Sequence, residues 1–283
     1  MAIGGVNFVA VRFSNRELPP LLGAGVRFVV AAVILFGVSR VRSMRLPRGR
    51  ALLGAVVYGV LSFAAAYGFA YTALTKLPAG AGAVVFASYP LFTVFLAPLH
   101  RIERFHIRGL VGAVLAIIGI VVLANPGSAT ALPLLSVLAM IGSAACAAEA
   151  GVLLKRFPVV PPTTANTIAM ATGGALLIGL ALIAGEAWVT PEQSSTWFAV
   201  LYLAVIGSAG LFGLFLFVLH RWTATATSYA TALLPVSAML AGAMIEGDRI
   251  TVNELIGAAI VIGAVWVGAL SNKSAAVPEP RIG

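Results

Sequence analysis

The sequence predicts an all-α integral membrane protein of about ten transmembrane helices, built as two inverted five-helix repeats. Three observations carry this: an apolar composition, the spacing of apolar runs, and a segment that recurs. Of 283 residues, 60% are hydrophobic and only 10% charged, against about 25% charged in a soluble domain. So few charges cannot coat a surface that faces water, so much of the outside faces lipid. The mean hydropathy of +1.04 agrees.

Apolar runs bounded by charge, proline or glycine give the spans in order. The first, 1–14, is short: about 13 helical residues reach about 20 Å, against a hydrocarbon core of about 30 Å. Either the natural start lies upstream, which is the expectation, or the first helix is incomplete. No positive region precedes this run and no small-residue cleavage site follows it, so it does not read as a cleaved signal. The second span is 18–39, opened by Pro19-Pro20, and the third is 51–74, between Arg50 and Lys76. The fourth is 78–99. The uncharged stretch from Gly109 to Ala148 is too long for one crossing, and the turn signal Asn125-Pro126-Gly127 divides it into the fifth and sixth. The sixth ends near Leu154, and the seventh, 163–185, follows Pro161-Pro162. The eighth, ninth and tenth are 196–219, 223–245 and 254–271. A polar tail with Pro278 and Pro280 reads as disordered. The expected division is a first repeat at 1–127, a second at 128–272, and a tail at 273–283.

Charge tests the count. The net charge is +9, but the basic residues sit in short gaps and form no continuous patch, so no nucleic-acid partner is expected. With a cytoplasmic N-terminus, thirteen Lys and Arg fall on the cytoplasmic side, and only Arg12, Arg16, Lys76 and Arg249 on the other. Arg27 lies within a span. Glu186, Glu192, Glu246, Asp248 and Glu254 fall outside. This positive-inside bias predicts a multi-pass protein with an even number of crossings and both termini cytoplasmic; the membrane expected is the bacterial inner membrane.

The chain also repeats itself. Ala79–Ile118 lies over Ala224–Gly263 without gaps at a shift of 145 residues. Pro90 meets Pro235, Glu103-Arg104 meets Asp248-Arg249, and Gly112-Ala113 meets Gly257-Ala258. Pro19-Pro20 echoes Pro161-Pro162. Five helices per half is an odd number, so the second copy enters the membrane from the opposite face. By analogy, this architecture lets one central site alternate between two sides.

Several segments are similar to the drug/metabolite transporter superfamily of EamA type. Gly5-Val6-Asn7-Phe8-Val9-Ala10 resembles its first-helix pattern, although the usual preceding tryptophan is missing. Leu18-Pro19-Pro20 with Arg27-Phe28 resembles the start and buried arginine of its second helix. Tyr71-Thr72-Ala73-Leu74, Ala79 and Tyr89-Pro90-Leu91-Phe92 resemble its third and fourth helices. Glu103-Arg104 and Asp248-Arg249 stand where each repeat carries a Glu-Arg pair, with Ile102 replacing a glycine and Asp248 a glutamate. The resemblance covers nearly the whole chain. It implies a gradient-linked or facilitated carrier exporting small metabolites such as amino acids or drugs. It also implies a central cavity lined by the first, third, fourth, sixth, eighth and ninth helices.

Individual residues sharpen this. Glu149, in the sixth helix, is an intramembrane carboxylate. It is a candidate for proton coupling or for a substrate amine, the alternatives being a structural partner or reach to the interface. Arg27 is a candidate for a substrate carboxylate, set against carbonyl capping or snorkelling; a pairing with Glu149 is a further possibility. Pro90 and Pro235, at equivalent mid-helix positions, are expected to kink their helices and free carbonyls toward the cavity. Asn7, Tyr67, Tyr71, Ser88, Tyr89 and Tyr229 are its candidate polar and aromatic lining, and Trp222 an interface anchor. Small residues four apart, such as Gly112/Ala116 and Ala264/Gly268, suit close helix packing.

No catalytic set, cofactor site or metal set is expected. Cys146 is the single cysteine, and His100, His106 and His220 lie at run boundaries and read as solvated. There is no phosphate loop for ATP. The expected partners are a small-molecule substrate, the lipid bilayer and protons. The competing readings are a non-transporting scaffold or sensor and a lipid-acting membrane enzyme.

Overall fold

The computed structural model describes residues 2–103, 107–124, 131–224, 227, 231, 234–248 and 250–269. Six of its helices are long and apolar enough to cross a membrane, and four shorter apolar ones accompany them among the described residues. In chain order these are α1 (Ala2–Ser14), α2 (Pro20–Val41), α3 (Arg50–Leu74), α4 (Ala79–Leu99) and α5 (Ile107–Ala124). The second half holds α6 (Leu134–Leu154), α7 (Pro162–Ile183), α8 (Ser194–Arg221), α9 (Leu234–Glu246) and α10 (Val252–Ala269). The turn at Asn125-Pro126-Gly127, the tail, Arg104, His106, Tyr229 and Arg249 lie outside the described residues.

Local sequence explains the helix starts. Pro19 and Pro161 are extended, with ψ of 142° and 134°, and hand over to Pro20 and Pro162. At that first position the missing N–H would have no partner in any case, and φ is already helical. Large apolar side chains such as Val33, Leu135, Ile183, Phe198 and Trp266 point outward, while small residues fill much of the interior. This is the arrangement expected where lipid solvates the outside.

The packing is that of two inverted repeats. Equivalent helices lie against each other: α2 on α7, and α5 on α10. Other contacts come in exchanged pairs: α1 with α9 and α6 with α4, then α1 with α8 and α6 with α3. At the α2–α7 crossing a Cβ on Gly174 would stand 3.1 Å from the Gly25 carbonyl oxygen, and one on Gly25 3.2 Å from that of Gly174. Gly119 and Gly257 bring α5 and α10 together in the same reciprocal way. Two backbones approach this closely only where neither residue has a side chain.

Three helices depart from simple α geometry. α3 contains π turns over Gly59–Ala66 and α8 over Val205–Gly210, and the 145-residue shift places one over the other. α9 ends in a π segment, Gly242–Glu246. α4 is interrupted: one piece stops at Phe86, Ala87 and Ser88 form a turn, and a second piece begins at Tyr89. Pro90 therefore sits in the first turn of a new helix, not within a kinked one, and its missing N–H breaks no ladder. Pro235 is buried in the first turn of the described part of α9.

Charged groups gather at two faces. At one, Arg12 bonds Glu246 (2.5 Å) and Asp248 (2.7 Å), and Arg16 reaches Glu246 (3.2 Å). The Glu186 carboxylate accepts the Leu21 and Leu22 N–H groups at the start of α2, and Glu17 accepts those of Glu192 and Gln193. At the other face His100 meets Glu149 at 2.6 Å, Arg156 donates to the His100 carbonyl, and Lys155 donates to the Leu219 and Trp222 carbonyls. The charge pattern of the sequence predicts this grouping of Arg12, Arg16, Glu186, Glu246 and Asp248.

Candidate functional site

A cavity of about 310 Å³ lies where the two halves meet. Its walls come from α1, α3, α4, α6 and α8, with Thr227, Thr231 and Leu234 from the ninth segment. These are the six helices that the resemblance implies.

Four of the residues singled out from sequence, Asn7, Tyr67, Tyr71 and Tyr89, line this cavity. Sequence reasoning missed Tyr58, Ser62, Phe86, Ser143, Phe212 and Phe215. Tyr58 and Tyr67 are nine residues apart. At about 100° per residue an α-helix turns them to opposite faces. The wider π turns between them carry fewer degrees per residue, so both look into one space. Phe86 and Tyr89 flank the break in α4 and stack with rings 5.9 Å apart. Tyr229, also expected here, lies outside the described residues.

Arg27 stands one layer behind the wall and is fully buried. It does not snorkel. Its Nε donates to Ser208 Oγ (2.7 Å), Nη2 to the Gly207 carbonyl (2.9 Å), and Nη1 to the Tyr71 hydroxyl (3.4 Å). The guanidinium also lies 5.0 Å from the ring centres of Phe28 and Tyr67. Gly207 and Ser208 belong to the π turns of α8, where i→i+5 bonding turns backbone polar groups aside. The same carbonyl accepts from Asn7 Nδ2 at 3.0 Å. One distorted stretch of α8 thus receives polar side chains from α1 and α2.

Glu149 does not pair with Arg27, and neither it nor Ser88 lines the cavity. Glu149 lies five residues before the end of α6, near the face, against His100. The expectation of a solvated His100 is corrected with it, since both side chains are largely covered. Ser88 is buried at the α4 break and spends its hydroxyl on the Val85 carbonyl at 2.7 Å. The two ion-pair clusters are related by the repeat. Each ties the first helix of one half to the fourth helix of the other, with acid and base exchanged: Arg12 on α1 against Glu246 on α9, and Glu149 on α6 against His100 after α4. No group of three or more His, Cys, Asp or Glu that could hold a metal occurs among the described residues.

The model of the EamA-like transporter family matches residues 1–125 and again 134–269. The chain belongs to that family. It is 31% identical over 265 residues to YedA, an inner membrane transporter of Escherichia coli K12, covering 93% of this chain and 86% of YedA. It is 25% identical over 283 residues to a probable amino-acid metabolite efflux pump of the same organism, covering 94% and 91%. A crystal structure at 22% identity superposes with a TM-score of 0.69 over 95% of this chain and 97% of the other, which shows the fold. The protein is a multi-pass inner-membrane transporter of small molecules, not an enzyme.

Proposed function

We propose that this transporter exports small organic metabolites, amino acids or drug-like compounds, by alternating access of the central cavity. The carrying observation is its position: α1, α3 and α4 of one half meet α6, α8 and the ninth segment of the other around one space. Oppositely inserted copies exchange conformations across a membrane, so a site on their shared seam opens to each side in turn. The efflux assignment of the relative at 25% identity supports the outward direction. The positive-inside bias supports cytoplasmic termini and a face bearing His100, Lys155 and Arg156 toward the cytoplasm. The halves are taken as 1–127 and 128–272. Proton coupling is assigned to Glu149, whose Oε2 is buried with no hydrogen-bond partner among the described residues.

Reconstituted vesicles loaded with candidate metabolites test this. Saturable flux is expected from the wild-type chain. In Ala147→Phe, which grows a ring into the cavity from α6, it is expected to fall at least about tenfold with the protein still folded. Undiminished flux in that variant overturns the cavity as the path. Flux unchanged by a protonophore overturns the coupling.

A further inference from the structure

Arg27 carries a charge into the membrane interior, and no acidic side chain among the described residues pairs with it. Every Asp and Glu except Glu279 is described. Glu17, Glu186, Glu246 and Asp248 are engaged at one face, Glu149 at the other, Glu254 bonds locally to Thr251, and Glu103 and Glu192 lie in the segments between helices. The ion pairs among the described residues do not include Arg27. Among the described residues its donors meet neutral oxygens: a hydroxyl, a carbonyl and a phenol. A charge at such depth is costly and ordinarily paired.

The phenol is the informative partner. Tyr71 lines the cavity, and its oxygen accepts from Arg27. Tyr71 is itself fully buried in that wall, and an oxygen that accepts there keeps its own proton to give. The cationic group behind it strengthens this donation. The remaining lining is mostly aromatic and apolar, with Phe86, Tyr89, Phe212, Phe215, Val11 and Leu74, and its polar members are neutral. The described lining holds no carboxylate and no basic side chain. An incoming ammonium would find hydroxyls, ring faces and the Asn7 amide oxygen, but with a like charge one layer away. An incoming carboxylate would supply the missing counter-charge.

Resting on the transport reading above, we propose that the cavity takes organic acids with an apolar, aromatic-sized body. The acid oxygen is received by the Tyr71 hydroxyl with Arg27 behind it. In this assignment Tyr71 binds the ligand and Arg27 is a positioning residue. The like charge of Arg27 opposes an α-ammonium, so a zwitterionic amino acid binds more weakly than the acid lacking its amine.

Four compounds of one shape test the charge rule on the purified full chain in detergent, by calorimetry: 3-phenylpropanoate, 3-phenylpropanamide, L-phenylalanine and 2-phenylethylamine. The propanoate is expected to bind about tenfold or more tighter than the amide and the amine, with phenylalanine between. Tyr71→Phe, which keeps the ring, should remove about tenfold of the propanoate affinity and leave that of the amine nearly unchanged. Amine binding as tight as the acid, or unaltered propanoate affinity in Tyr71→Phe, overturns the assignment. Vesicle flux separates the two readings. Acid binding without flux of any solute upholds the ligand class and overturns transport, whereas flux that prefers the amine does the reverse.

Discussion

Glu17, between α1 and α2, accepts the Thr196 hydroxyl at 2.5 Å together with the N–H groups of Glu192 and Gln193. The Thr196 hydrogen bond is the main cause holding its carboxyl below the ordinary 4.5, with the two backbone bonds acting in the same sense against partial desolvation. A carboxylate with a lowered folded pKa adds stability that is fully present above its unfolded value and is lost as pH falls through the folded one. Thr196→Val should therefore melt below wild type at pH 6, with the gap closing as the pH drops below about 4. Thermal unfolding across that range checks it, and a gap that persists in acid counts against it. At this scale the sequence was partly legible. Asn7, Arg27 and Glu149 stand out as polar groups in apolar runs, because the bilayer makes such residues expensive. Their partners did not stand out. Gly207 and Ser208 become the acceptors for Arg27 only through the backbone distortion of α8, and His100 meets Glu149 only once α4 and α6 pack.

At the scale of elements, ten apolar runs were readable, and apart from the start of the ninth, which lies among residues outside the described ones, their ends shifted by a few residues, since hydrocarbon thickness and proline pairs fix both. The π turns of α3 and α8 and the break in α4 were not readable, and with them went Tyr58, Ser62 and Phe86 of the cavity wall. Nothing in Gly59–Ala66 marks an i→i+5 ladder in composition. The 145-residue shift, known beforehand from Pro90 and Pro235, shows that the distortion is a shared property of both third helices. Deleting one residue, Ala209, should return α8 to regular winding and draw the Gly207 carbonyl back into its own ladder. Arg27 would then lose a charge-assisted partner, worth about 2 kcal/mol. A lower melting temperature in detergent is the expected result, and an unchanged one would show that the π turns hold nothing in place.

Across the whole molecule, the seam between halves is backbone against backbone. Gly174→Leu should separate α2 from α7 and destabilise the fold by about 1–3 kcal/mol. Gly179→Leu, on the same helix with nothing within 4 Å of its would-be Cβ, should be nearly neutral. Equal melting points for the pair would remove the crossing as a determinant of assembly. The repeat that makes this seam was visible in Ala79–Ile118 against Ala224–Gly263, because proline and the acidic–arginine pair are rare enough in apolar sequence to mark register. In the first helices small apolar residues recur too often to do so.

The uncompensated guanidinium behind Tyr71 bears on what the membrane must retain. Sodium and other metal cations approaching through the same passage meet a fixed field of their own sign, of the kind that excludes cations in selective pores. A carrier so equipped can cycle without short-circuiting the voltage across the bilayer that contains it.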